Sequence, residues 1–134
     1  KHTQTMIIRD RQEIENHIKS RTSSDCERVI NIDAQDFEAV LACEDIAAIE
    51  VEAEDLANIV VTILREMREI GCSGTKHVVL TITCSRSYGL NMMDMEKLSA
   101  VMRSFEEGTE LIWGISYDNT MPMSKARVTI IIGK

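Results

Sequence analysis

The sequence predicts an α/β fold, of the two-layer α+β kind, in which helices pack on a four-stranded mixed sheet. Three observations predict it. Helix-like and strand-like segments alternate along the chain, the segment 56–70 repeats apolar residues at helical spacing, and 77–84 is a β-branched run. With 134 residues, of which 44% are hydrophobic, the chain is long enough for one domain with a substantial core.

Composition excludes several functions. The formal net charge of −7, without any basic run, argues against a nucleic-acid partner, because binding to a phosphate backbone needs clustered Lys and Arg. No apolar stretch approaches the roughly 18–20 residues that span a bilayer. The cysteines are widely spaced and form no CxxC pair, so we expect reduced thiols rather than a zinc or redox site. They are Cys26, Cys43, Cys72 and Cys84.

The first predicted element is a short surface helix over 10–19, in which Ile14 and Ile18 lie four residues apart. His17 lies beside this pair, and a lone histidine on such a helix is expected to be solvated rather than a ligand. The segment 21–25 (RTSSD) is typical of a loop, because Ser and Asp side chains compete for backbone hydrogen bonds.

A second helix is predicted over 34–41. Asp33 suits the N-cap position, and Asp36 follows three residues later, where a negative charge favours the helix N-terminus. Phe37 and Val40 give the helix an apolar side. Asp33 and Asp36 therefore have an ordinary structural explanation.

The segment 46–53 (IAAIEVEA) alternates, which predicts a half-exposed strand with Glu50 and Glu52 on the solvent side. These two belong to a wider acidic group that lacks the spacing of a calcium loop and is expected to be a solvated face. Its members are Glu44, Asp45, Glu50, Glu52, Glu54 and Asp55.

The clearest helical signal covers 56–70, followed by Gly71 as a C-terminal stop. A strand is predicted over 77–84, and apolar residues or Thr on both of its faces indicate a central position. A helix over 92–105 with Asn91 as N-cap comes next. Strands over 110–117 and 126–132, joined by a hairpin-like loop, complete a β-α-β crossover and a terminal hairpin.

The C-terminal half, from His77 onwards, resembles the C-terminal domain of FtsZ-type filament proteins of the FtsZ/tubulin superfamily. In that family an apolar strand with a glycine leads to a polar loop with Asp, and the closing strand begins Arg-Val-Thr. Gly114, Asp118 and the run 127–129 (RVT) match these features in the same order. The order of the features is more specific than any one of them.

Upstream, the segment 29–41 (VINIDAQDFEAVL) is similar to the synergy loop of the family, which has an Asn-x-Asp-x-x-Asp pattern. Asn31, Asp33 and Asp36 fall on its three positions. The resemblance implies that these residues are catalytic, positioning and polarising the water that attacks GTP in the next subunit. The segment 26–28 lacks the family's Pro-Gly approach to the loop.

No glycine-rich phosphate-binding signature occurs in the chain, so we expect it to bind no cofactor itself. The resemblance then implies GTP in an adjacent nucleotide-binding domain, and as partners an FtsZ-like nucleotide-binding domain or a neighbouring subunit, with homo-oligomers possible. It also implies a cytoplasmic location. The chain would supply half of a GTPase site.

The resulting division is a helical segment and loop over 1–28 and an FtsZ-like C-terminal domain over 29–134, with the synergy loop at 29–41. The function implied is that of a filament-forming domain that activates GTP hydrolysis in the adjacent subunit. The alternative is a non-catalytic module that regulates or caps FtsZ-like filaments, because a fold does not fix a function.

Overall fold

The structure is a computed structural model that describes residues 3–21, 27–30 and 32–134. Its helices and strands follow one another as β1 (Gln4–Ile8), α1 (Arg11–Arg21), β2 (Glu27–Ile30), α2 (Ala34–Leu41), β3 (Ile46–Ala53), α3 (Leu56–Ile70), β4 (His77–Cys84), a short 3-10 turn (Arg86–Tyr88), α4 (Met92–Met102), β5 (Glu110–Tyr117) and β6 (Ala126–Gly133).

All the strands described belong to one mixed sheet, in the order β1-β3-β6-β4-β5-β2. The neighbours β4 and β5 are parallel, and every other pair is antiparallel. Because β6 runs antiparallel to both β3 and β4, the strands β3, β4 and β5 all point the same way. The predicted class, a mixed sheet packed by helices, is confirmed, but the sheet has six strands rather than four.

The predicted terminal hairpin is wrong. The strand β6 does not pair with β5 but lies between β3 and β4, in register with both along its whole length. The physical reason is its composition: Val128, Ile130 and Ile132 lie on one face, Thr129 and Ile131 lie on the other, and all five are buried. Such a strand is most stable at the centre of a sheet that has helices on both sides.

Two short edge strands were not predicted. The strand β1 pairs antiparallel with β3, and β2 pairs antiparallel with β5. Both are brief, and β2 carries the charged pair Glu27 and Arg28, so neither has a strong alternating pattern. Because β1 pairs with β3 and α1 packs on it, the strand β3 is buried on both faces rather than half-exposed.

Helices cover both faces of the sheet, which makes three layers rather than two. On one face α3 and α4 close the larger core, which includes Ile63, Leu80 and Leu98, all fully buried. On the other face α1 and α2 pack through Ile14 and Val40, which are also fully buried. Burying each such side chain contributes about 1.5–3 kcal/mol before entropy, so both layers contribute to stability.

Most helix ends lie close to where the sequence predicts them. The helix α3 ends as predicted at Gly71, which has a φ of +82° that glycine adopts without strain. The helix α4 ends earlier than predicted, at Met102, although Phe105 still packs against the core. Residues 22–25 of the predicted loop lie outside the described part of the chain. None of the described helices has the length and apolar character that a membrane crossing requires.

Candidate functional site

The predicted catalytic residues lie where the chain leaves β2 and begins α2, in a segment that we call the acidic turn (residues 32–36). Asp33 is the N-cap of α2, with extended backbone angles, and its Oδ1 accepts a hydrogen bond from the backbone N–H of Asp36 at 3.1 Å. In return, Oδ2 of Asp36 accepts from the backbone N–H of Asp33 at 3.0 Å. This reciprocal capping box satisfies two of the free N–H groups at the helix start.

One oxygen of each carboxylate is used in this way. Within the described residues, the other oxygen of each carboxylate makes no hydrogen bond. Asp33 is exposed and Asp36 is half-buried, so both can be reached from solvent. Asn31, the third residue predicted for the site, lies outside the described residues.

The acidic turn is anchored on both sides. Before it, β2 pairs with β5 through a register irregularity between Arg28 and Ile30. After it, Phe37 and Val40 pack into the apolar cluster on this face of the sheet, to which Ile32 also belongs. The turn therefore projects from a packed layer, which favours a fixed position for its two carboxylates.

A second capping box in the same chain shows what the cap itself requires. At the start of α4, Oδ1 of Asn91 accepts from the N–H of Asp94 at 3.0 Å, and Oδ2 of Asp94 accepts from the N–H of Asn91 at 3.1 Å. The geometry matches that at α2, yet only one carboxylate is present. The negative charge of Asp33 is therefore not needed to begin a helix in this way.

The acidic turn can polarise a water molecule but cannot bind a phosphate. Carboxylate oxygens accept hydrogen bonds and repel other anions, so the phosphates of a nucleotide would have to be held by groups other than these two aspartates. Within the described ranges, no group of three or more His, Cys, Asp or Glu side chains could hold a metal ion.

A second set of ionisable residues, which we call the Glu50 cluster (Glu50, His17, Arg21, Thr129), lies between α1 and the sheet. Oε1 of Glu50 accepts from Nε2 of His17 at 2.8 Å and from the hydroxyl of Thr129 at 2.8 Å. Oε2 accepts from Nη2 of Arg21 at 2.7 Å. Burial opposes ionisation of Glu50, but these hydrogen bonds outweigh it and lower its pKa from about 4.5 to about 2.

The Glu50 cluster corrects two expectations. His17 was expected to be solvated, yet its side chain is 14% exposed and contacts Glu50. The acidic group around Glu50 was expected to be a solvated face, yet Glu50 is 7% exposed and Glu52 is paired with Arg127 at 3.2 Å. The signal that could have found the cluster is the position of His17 and Arg21 on the same helical stripe as Ile14 and Ile18.

A shallow cavity of about 630 Å³ lies away from the acidic turn, next to the C-terminal end of α2. Its charged lining has both signs: Glu44, Asp45, Lys76 and Lys134. His77, which also lines it, is paired with Glu110 at 2.9 Å between Nδ1 and Oε1. With positive and negative groups side by side, this cavity selects neither an anion nor a cation.

No protein-family model matches the sequence, and no curated protein matches it significantly. Solved structures do match the fold. An empty FtsZ dimer from M. jannaschii is similar with a TM-score of 0.65 and 18% identity, covering 81% of this chain and 32% of the FtsZ chain. A mutant of FtsZ from M. jannaschii has a TM-score of 0.64 and 16% identity, covering 92% of this chain and 38% of its own.

The chain thus spans about a third of the length of the FtsZ chains that it matches. At these identities the likeness concerns the fold: the chain has the fold of an FtsZ/tubulin-type C-terminal domain. Whether its residues act as those of FtsZ do is a separate matter of chemistry.

Proposed function

We propose that this chain is the C-terminal domain of an FtsZ-like cell-division GTPase of the cytoplasm, contributing filament contacts and a catalytic acidic turn. In this proposal Asp33 and Asp36, with Asn31, act on GTP bound by a neighbouring nucleotide-binding domain. The chain itself binds no nucleotide and completes the site in trans. Support comes from the FtsZ-type fold and from the two carboxylates that the capping box holds in one turn, with Asp33 exposed and Asp36 half-buried.

GTP hydrolysis would require the acidic turn only to position its carboxylates and to supply negative charge. Phosphoryl transfer depends chiefly on aligning the attacking water and on electrostatic stabilisation. The second oxygens of Asp33 and Asp36 would accept hydrogen bonds from that water and orient its lone pair towards the phosphorus. A carboxylate could also take up the proton that the water loses as it attacks.

One observation carries the proposal: the cap at α2 contains a charge that helix capping does not need. At α4 the same box works with Asn91 in place of a carboxylate. The two carboxylates in the box at α2 repel each other, and this repulsion offsets part of the stabilisation that the helix N-terminus gives to a negative charge. Activation of water is a purpose that fits both the residues and the fold.

The test is GTP turnover by the full-length protein containing this domain, or by the domain reconstituted with an FtsZ-like nucleotide-binding half. Asp33→Asn and Asp36→Asn remove the charge and keep a side chain that can still cap α2. We expect each to lower the turnover rate roughly 100-fold or more, the usual effect of losing a general base.

The matched control is Asp94→Asn, which makes the same change in the capping box of α4 and should leave turnover at the wild-type rate. Circular dichroism checks that all three variants are folded. If Asp33→Asn and Asp36→Asn also hydrolyse GTP at the wild-type rate, the catalytic assignment is wrong. Co-sedimentation of those variants with FtsZ-like polymers would then favour the non-catalytic interaction module.

A further inference from the structure

The two edges of the sheet differ in how they are protected. The edge strand β2 has only four residues, contains Glu27 and Arg28, and shows a register irregularity between Arg28 and Ile30. Short length, charge and irregular pairing are the usual devices that prevent an edge strand from pairing with another molecule. This edge is therefore protected.

The opposite edge strand, β1, is also short, but it has neither of the other two devices. Its five residues (QTMII) include no charge and no proline, and they pair with β3 in unbroken register. Met6 and Ile7 are 44% and 43% exposed, although they point to opposite faces of the sheet. No strand of the described chain pairs with the outer side of β1.

The unpaired outer edge of β1 can accept another β-strand as its partner. Backbone N–H and C=O groups along the outer side of a strand are satisfied most completely by another strand. We propose that β1 pairs antiparallel with the β1 strand of a second copy of this chain, so that the two sheets become continuous across a two-fold axis.

Symmetry favours a second copy. A two-fold dimer joins identical patches, and antiparallel pairing of one strand with itself meets that condition. Pairing all five residues places the axis at Met6, so that Met6 lies opposite the partner's Met6 on one face. On the other face Ile7 lies opposite the partner's Thr5. Both exposed apolar side chains are then covered.

Charge is also compatible with self-association at this edge, although the chain has a net charge of −7. The acidic neighbours of β1 on β3 are Glu50, in register with Met6, and Glu52, in register with Gln4. Glu50 is neutralised by Arg21, and Glu52 by Arg127. Because both carboxylates are ion-paired, neither of them strongly repels the second copy.

The geometry also limits the strength of the dimer. Neighbouring strands lie about 4.8 Å apart, which puts the two β3 strands roughly 14 Å apart across the β1 pair. Helices pack at about 8–10 Å, so the α1 helices above β3 would not pack on each other. The contact consists of the strand pair and the Met6 and Ile7 side chains. Because this interface is small, we expect a weak dimer that forms only at high protein concentration.

Sedimentation velocity over a concentration series tests the proposal without nucleotide or any other protein. The wild-type chain should shift from monomer to dimer as concentration rises. Met6→Lys places two positive charges opposite each other at the two-fold axis. It should raise the protein concentration at which half of the chains are dimeric at least tenfold. Val61→Lys is the matched control, because Val61 is 62% exposed on α3 and the substitution adds the same charge away from β1.

A second variant gives an independent readout. Under mild oxidation Met6→Cys should form a disulfide-linked dimer, because residues directly opposite at the two-fold axis have Cβ atoms close enough to bridge. Wild type and Val61→Cys are the controls for the native thiols. A chain that stays monomeric throughout, or a dimer unaffected by Met6→Lys and not linked by Met6→Cys, overturns the proposal.

Discussion

Glu50 is a buried carboxylate whose charge depends on partners from two other elements. His17 and Arg21 reach it from α1, and Thr129 reaches it from β6. Each contact joins residues far apart in the sequence, so the cluster ties α1 to the sheet. A buried charge is tolerated only when its partners remain in place.

This ion pairing predicts acid sensitivity. The folded pKa of Glu50, about 2, is lower than its ordinary value of 4.5, so between these pH values the unfolded chain binds more protons than the folded chain. The contribution of Glu50 to stability is complete above about pH 4.5 and is lost as the pH falls towards 2. Urea unfolding followed by circular dichroism between pH 7 and pH 2.5 measures it.

Glu50→Gln isolates the effect from the titration of other carboxylates. We expect it to lower the free energy of unfolding by roughly 3 kcal/mol at pH 7, because Arg21 and His17 lose their charged partner. The difference from wild type should shrink as the pH falls below 4.5. Glu54→Gln, an exposed control, should change stability little at any pH, and an equal, pH-independent loss in both variants would contradict the role of Glu50.

Single residues were predictable from sequence where their partners are local. The caps at Asp33, Asn91 and Gly71 were predicted because each acts within one helical turn. The bond between His17 and Glu50 was not, because 33 residues separate them and only the packing of α1 on β3 brings them together.

At the scale of elements, the start of α2 can be tested apart from any catalysis. Asp33→Ala removes the side chain that accepts from the N–H of Asp36 and should cost about 1 kcal/mol of stability. Asp33→Asn should cost a few tenths at most, because Asn91 fills the same position at α4. Thermal unfolding of both variants measures the difference. Equal losses would mean that the charge, not the hydrogen bond, stabilises the helix start.

The contact between α2 and the end of β6 depends on a glycine. A Cβ atom on Gly133 would lie 2.6 Å from Sγ of Cys43 and 2.9 Å from the carbonyl oxygen of Val40. Cys43 is buried and the carbonyl oxygen of Val40 belongs to the backbone of α2, so a Cβ atom at this position would force a shift in one of them. The close approach of α2 to the sheet therefore requires a residue without a side chain at this position.

Gly133→Ala should consequently lower the free energy of unfolding by about 1–3 kcal/mol, the usual cost of overpacking. Cys43→Ala removes the nearest atom, so Gly133→Ala should cost less in that background. A double-mutant cycle from urea unfolding gives the coupling between the two positions. A cost that is the same in both backgrounds would show that Cys43 is not the obstacle.

Elements were predictable where their own pattern is strong, as in α3 and β4. Their partners were not, because the pairing of β6 with β3 and β4 depends on burial that only the assembled sheet provides. The edge strand β1 was missed because its five residues are stabilised mainly by pairing with β3 rather than by their own pattern.

Over the whole molecule, stability should be uneven. The strand β6 is central and almost entirely buried, whereas β1 is an edge strand whose residues 4–7 are exposed. Native-state hydrogen exchange should show β6 amides exchanging only by global unfolding and β1 amides by local opening. The β4 strand, also central, should behave like β6. Equal protection in β1 and β6 would contradict this picture.

The site as a whole was predictable only in part. The positions of Asp33 and Asp36 at a helix start follow from the sequence, and the structure brings the two carboxylates together in one turn. Their role on GTP stays a prediction, because it depends on a nucleotide held by another domain. The division of the chain after residue 28 likewise stays a prediction.

The central position of β6 also has a consequence for biosynthesis. On a translating ribosome, β3, β4 and β5 emerge before the strand that joins β3 to β4. Until β6 leaves the exit tunnel, one edge of β3 and one edge of β4 are unpaired. The apolar residues of α3 and α4 then pack on an incomplete sheet. The nascent chain is then vulnerable to aggregation, and a chaperone that shields strand edges would act on it most usefully in this interval.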